Sequence, residues 1–136
     1  MRMNGLPTNR DSMLQGETLI VEDNLIIAME AEEILLGLGS PRCHVASTVR
    51  ASLEILDRAP VAFALLDIDL GEETCEAVAL RLLALGTPFI FASGYDEFPG
   101  FSDVFGGVPV VLKPYTEQDI AAAIAGHKET AALCRS

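Results

Sequence analysis

Three carboxylates, a hydroxyl and an ammonium stand at the ends of short apolar runs. Glu22-Asp23 closes Leu19-Ile20-Val21, and Asp67 closes Ala64-Leu65-Leu66. Ser93 follows Phe89-Ile90-Phe91-Ala92, and Lys113-Pro114 follows Val110-Val111-Leu112. Each run has the length of a strand, and helical pattern separates most of them. In an open parallel sheet the carboxyl ends of the strands share one edge, where ligands bind. These groups are then expected in one crevice, as a cation site and a phosphoryl site together.

Each residue type has its own chemistry and its own plainer explanation. Asp67, with Asp69 two residues on, can accept a phosphoryl group as an aspartyl phosphate; acids after strands are also common as solvated loop groups. Glu22 and Asp23 have no basic neighbour in sequence, and clustered carboxylates raise one another's pKa unless a counter-charge is present. Mg2+ suits such a set, being oxygen-liganded and content with one or two carboxylates plus water and phosphate. The same two acids would also be favoured by the dipole of a helix starting at Asn24. Lys113 can neutralise carboxylates at rest and clamp a phosphoryl oxygen afterwards, or stand as an ordinary surface lysine. Ser93 can hydrogen-bond a new phosphoryl group, or simply lead into a turn at Gly94. The weight lies in their combination on one sheet edge.

The elements that must position them follow from periodicity and punctuation. Strands are expected at Thr18–Glu22, Cys43–Ala46, Ala62–Leu66, Phe89–Ala92 and about Val108–Leu112. Helices are expected from Asn24, as N-cap, to about Leu38, from Val49 to Arg58, from Cys75 to Leu85, and from Thr116 to about Ala132. Gly37, Gly39, Pro60 and Gly86 end the first three, and Asp119 completes a capping box with Thr116. This alternation predicts an α/β domain with a parallel sheet and right-handed crossovers. Residues 94–107 break the pattern, with four Gly and a Pro in fourteen residues where a crossover helix is expected. Gly costs a helix about 1 kcal/mol and an interior Pro about 3, so a loop or one short turn is expected there. Residues 1–16, rich in Gly, Pro, Asn and Ser, read as a flexible tail, and 17–133 as one domain.

Composition narrows the partners. The 136 residues carry 9 Lys+Arg against 20 Asp+Glu, a net charge of −11. Such a surface repels nucleic-acid backbones and anionic lipid, so neither direct nucleic-acid nor membrane binding is expected, and a basic protein partner is. Half the residues are hydrophobic but only 6% aromatic, which predicts an aliphatic core. Cys43, Cys75 and Cys134 are widely spaced, with no CxxC pattern, so free thiols in a reducing cytoplasm are expected rather than zinc. The N-terminal residues do not resemble a signal peptide, and no apolar run approaches the ~20 residues of a membrane span.

With these residues in place, the chain resembles the receiver domain of two-component response regulators over roughly 17–133. The resemblance implies a flavodoxin-like, doubly wound, five-stranded parallel sheet of order 2-1-3-4-5. It implies that Glu22 and Asp23 bind Mg2+ together with Asp67 and the backbone carbonyl of Asp69. It implies that Asp67 takes phosphate from a sensor histidine kinase or a histidine phosphotransfer protein, that Ser93 moves to bind the phosphoryl group, and that Lys113 completes the site. Phe91-Ala92-Ser93-Gly94-Tyr95 further resembles the alphaproteobacterial "FAT GUY" receivers, in which the fourth helix is often degenerate; Ser93 here replaces their Thr. Typical receivers carry a switching aromatic three residues before the Lys. That position is Val110, which makes Tyr95, beside Ser93, the second switch candidate.

No output domain is expected in a chain of this length, so relay, phosphate sink and protein-binding effector stay open. A pseudo-receiver that only binds proteins is one alternative. Another is an aspartyl-phosphate phosphatase, because Asp67-Ile68-Asp69 resembles the DxD of the haloacid-dehalogenase type. That class has Thr or Val where Gly71 stands, and places its nucleophile after the first strand rather than the third.

Overall fold

The computed structural model describes residues 13–71, 73–94, 105 and 107–135. The chain runs β1 (Glu17–Val21), α1 (Leu25–Gly37), β2 (Cys43–Ala46), α2 (Val49–Arg58), β3 (Val61–Asp67), a hairpin of β4 (Asp69–Leu70) and β5 (Glu73–Thr74), α3 (Glu76–Leu85), β6 (Phe89–Ser93), β7 (Val110–Leu112) and α4 (Glu117–Arg135). The main sheet has the order β2-β1-β3-β6-β7 with every pairing parallel. Counted along its own five strands, this is the expected 2-1-3-4-5 order.

Local chemistry explains the boundaries. Asn24 Oδ1 accepts the Ile26 and Ile27 N–H groups at 3.0 and 3.1 Å and so starts α1. Thr48 caps α2 by accepting from Ala51 N, and Gly86, at φ +74°, ends α3 in the left-handed conformation that favours glycine. At α4 the expected capping box is reciprocal: Thr116 N donates to Asp119 Oδ2 at 2.9 Å, and Asp119 N to Thr116 Oγ1 at 3.1 Å.

The sheet is covered on both faces. Leu19, Val21, Leu66 and Phe91 pack with α2 and α3 through Ile55, Leu56, Val78 and Leu82. Ile20, Leu65 and Ile90 pack with α1 and α4 through Ala31, Leu35, Ile120 and Ile124. All five residues of β6 are buried, as a central parallel strand requires. The core is mainly aliphatic, with one addition: Phe89, Phe91 and Phe105 meet edge to face, the closest centroids 5.5 Å apart.

Three details depart from the sequence reading. The expected tail over 1–16 is too long: Leu14 is buried, and its N–H donates to Leu38 O at 2.9 Å, so the packed body reaches back to Leu14. The last strand begins at Val110 rather than Val108, because Val108 N turns back to Phe105 O and Pro109 has no N–H to give. The β4–β5 hairpin was not expected. Four α-helices occur among the described residues, and between β6 and β7 Phe105 has 3-10 backbone conformation. The expected degenerate helix falls mainly on 95–104, outside the described residues. No helix among the described residues is long and apolar enough to cross a membrane.

Candidate functional site

The acid pair is placed by the end of β1. Glu22 N donates to Ala46 O at 2.9 Å, continuing the β1–β2 ladder one residue past the strand. The chain then turns into α1, and Asn24 N donates to Glu22 Oε2 at 3.1 Å. Glu22 is thereby held inward, buried, while Asp23 is exposed. Asp67 is the last residue of β3 and is buried as well. One carboxylate oxygen from each of Glu22, Asp23 and Asp67 lies within 4.8 Å of the other two.

Lys113 arrives from the far side of the sheet. Its N–H donates to Ser93 O at 2.8 Å, which keeps it in register with the end of β6, and the Lys113–Pro114 peptide is cis. Lys113 Nζ lies 3.0 Å from Glu22 Oε1 and 3.0 Å from Asp67 Oδ1. Ser93 is buried and one residue beyond Ala92, the register partner of Asp67. Glu22, Asp23, Asp67 and Lys113 are therefore brought together, and Ser93 stands at the same edge. The Asp69 backbone opens β4 two residues past Asp67. Tyr95 lies outside the described residues. Val110 is exposed on β7.

The electrostatics follow from one ammonium among three acids. Burial pushes the Asp67 carboxyl up to about 7; the Lys113 hydrogen bond opposes this and the neighbouring charge of Glu22 adds to it. Burial works against the Lys113 ammonium, yet its bonds to Asp67 and Glu22 outweigh that and raise its pKa. Burial, and then the charges of Glu22 and Asp67, also raise Tyr115. The donor set is all oxygen and carries more negative than positive charge. That composition fits a hard divalent cation such as Mg2+ and not zinc or a soft metal. Cys43 and Cys75 are free thiols: burial pushes Cys43 up to about 11, and burial followed by the charge of Asp67 pushes Cys75 up to about 12.

Sequence reading missed two contacts around the site. A Cβ on Gly71 would lie 3.9 Å from Asp23 Oδ2, so the hairpin turn lies beside Asp23. Glu73 Oε1 accepts the Val49 N–H at 3.2 Å, joining the hairpin to α2. Gly71 was the available signal for the turn, at φ +79°.

No protein-family model and no curated protein matches the sequence. Solved structures do. SdrG from Sphingomonas melonis Fr1 is 32% identical, with a TM-score of 0.69, over 83% of this chain and 96% of that one. The BeF3-activated conformation of SdrG from Pseudomonas melonis Fr1 is 34% identical, with a TM-score of 0.68, over 81% of this chain and 93% of that one. At the level of fold, the response regulator receiver domain (CheY-like) from Methylobacillus flagellatus gives a TM-score of 0.71 at 20% identity, over 82% of this chain and 98% of that one.

Proposed function

The chain belongs to the response regulator receiver domains, and from that premise we propose that Asp67 accepts a phosphoryl group from a phosphohistidine. The observation that carries this reading is Lys113 Nζ, 3.0 Å from both Glu22 and Asp67. A half-buried Lys shared by two buried strand-end acids is a costly arrangement for stability alone and a useful one for phosphoryl transfer.

Asp67 acts as nucleophile in line with the donor's P–N bond. A P–O bond forms to the carboxylate, the P–N bond breaks, and the imidazole leaves with the electron pair and is reprotonated by solvent. Glu22, Asp23, Asp67 and the Asp69 carbonyl would hold Mg2+, which when bound offsets charge on the phosphoryl oxygens. Lys113 keeps the two buried carboxylates neutralised before transfer and takes a phosphoryl oxygen afterwards. Ser93 donates its hydroxyl to the new group, whose added charge is about −1.5 to −2. The chain is a phosphoacceptor that promotes its own phosphorylation and dephosphorylation, not a turnover enzyme on a free substrate.

The phosphoryl source is a sensor histidine kinase or a histidine phosphotransfer protein, and the output is a protein contact near the segment after Ser93. The acidic surface, net −11, disfavours nucleic acid as the direct target. Val110, in place of an aromatic, favours a second reading, a receiver fold kept only for protein binding.

Intact mass separates the two. The protein is incubated with Mg2+ and a small acyl phosphate or phosphoramidate, beside Asp67→Asn. A Mg2+-dependent gain of one phosphoryl group, absent in Asp67→Asn, is the expected result. No gain from either donor or from a phosphorylated histidine phosphotransfer domain, together with no Mg2+ binding by titration, overturns it.

A further inference from the structure

The hairpin that follows Asp67 is anchored outside itself. Asp69 pairs with Thr74 and Leu70 with Glu73, and two-residue strands of this kind do not hold a hairpin on their own. Leu70 is buried in the core beside α2 and α3. The turn at Gly71 lies beside Asp23, near enough that a methyl group added at Gly71 would sit 3.9 Å from Asp23 Oδ2. Glu73, across the hairpin from Leu70, reaches away from the site, and its Oε1 accepts the Val49 N–H at 3.2 Å.

Val49 is the first residue of α2, and the first four N–H groups of a helix need partners from outside it. Thr48 Oγ1 supplies one, to Ala51 N at 3.1 Å. Glu73 supplies another, and a carboxylate there also meets the favourable end of the helix dipole. The bond joins residues far apart in sequence, so it fixes the hairpin relative to α2 rather than merely closing the hairpin.

We propose that Glu73 is a positioning residue: by latching the Asp69–Thr74 hairpin to the start of α2, it keeps the Gly71 turn beside Asp23 and sets how tightly Glu22, Asp23 and Asp67 bind a divalent cation. This rests on the reading of those three acids as a cation site. Release of the latch lets the turn withdraw from Asp23 and leaves that exposed carboxylate less ordered, while Glu22 and Asp67, fixed by Lys113, stay in place.

The test is Mg2+ binding by calorimetry to the full chain and to three variants, with a thermal melt of each. Glu73→Ala is expected to weaken Mg2+ binding about fivefold, the scale of one lost capping bond. Glu73→Gln keeps an oxygen acceptor and is expected to restore most of that affinity. Val49→Pro removes the donor instead, at a first helical position where proline is tolerated, and is expected to match Glu73→Ala with Glu73 intact. Wild-type affinity in both Glu73→Ala and Val49→Pro overturns the latch. So does a Glu73→Gln as weak as Glu73→Ala beside a wild-type Val49→Pro, which makes the charge of Glu73 the cause. Absence of Mg2+ binding by the wild-type chain overturns the cation-site reading and the latch together.

Discussion

Lys113 Nζ lies 3.0 Å from Asp67 Oδ1, and both side chains are largely shielded from solvent. Glu22 shares the same ammonium, so one cation serves two buried carboxylates. Removing one partner of such a set leaves the others uncompensated, at a typical cost of about 3 kcal/mol. Lys113→Met is therefore expected to lower the metal-free unfolding free energy by about that amount at pH 8. Added Mg2+ recovers part of the loss by replacing the missing charge. Urea denaturation with and without Mg2+ checks both halves, and equal loss in the two conditions would contradict a cation at these acids.

The site also predicts how stability responds to pH. An Asp in an unfolded chain titrates near 3.9, whereas burial raises Asp67 to about 7 in the fold. Between these values the native state holds a proton that the unfolded chain has released. Stability from this group is therefore fully present below about pH 4 and is lost as pH rises through about 7. Metal-free protein should melt at a lower temperature at pH 8 than at pH 5.5. Asp67→Asn, which stays neutral, should flatten that dependence and melt above wild type at pH 8. Saturating Mg2+ should also flatten it, because the ion competes with the proton. Melting curves for the two proteins across this range, with and without Mg2+, decide it.

Gly16 offers a test at the opposite end of β1. A Cβ built there would meet Ala62 Cβ at 2.5 Å, a contact side chains do not tolerate. Gly16 also accepts a hydrogen bond from Ser40 Oγ at 3.3 Å, and Ser40 bonds the buried Thr18 hydroxyl at 3.0 Å. Gly16→Ala must shift β1 against β3, and overpacking of this kind costs about 1–3 kcal/mol. Chemical denaturation is expected to show that loss. A change near zero would mean that the residues before β1 contribute little to the packed body.

The difference between legible and illegible features follows the range of the interactions. The strand ends at Glu22, Asp67, Ser93 and Lys113 were readable because a parallel sheet gathers carboxyl ends on one edge whatever the loops do. Helix starts at Asn24, Thr48 and Thr116 were readable because a cap acts within three residues. Leu14 was not: its burial depends on Leu38, a contact that no local pattern encodes. Glu73 was hidden for the same reason, as its partner Val49 lies at the start of α2, far from the hairpin in sequence. The exposure of Asp23 beside a buried Glu22 was equally silent in sequence, because it is decided by Lys113 and by the turn into α1.

Ser93 separates phosphoryl uptake from its consequence. Its carbonyl takes the Lys113 N–H at 2.8 Å, a backbone bond that substitution of the side chain leaves intact. Its buried side chain ends β6 beside Ala92, the register partner of Asp67. Ser93→Ala is therefore expected to keep Lys113 in place and lose no more than about 1 kcal/mol of stability, the net worth of a typical hydrogen bond. Mg2+-dependent gain of a phosphoryl group on Asp67 should persist in this variant. What should be lost is transmission: amide shifts in β7 and α4 that follow beryllofluoride addition to wild type should shrink in Ser93→Ala and return in Ser93→Thr. Unchanged shifts in Ser93→Ala would remove the hydroxyl from the switch and leave Tyr95, the other residue singled out beside it, as the next position to substitute.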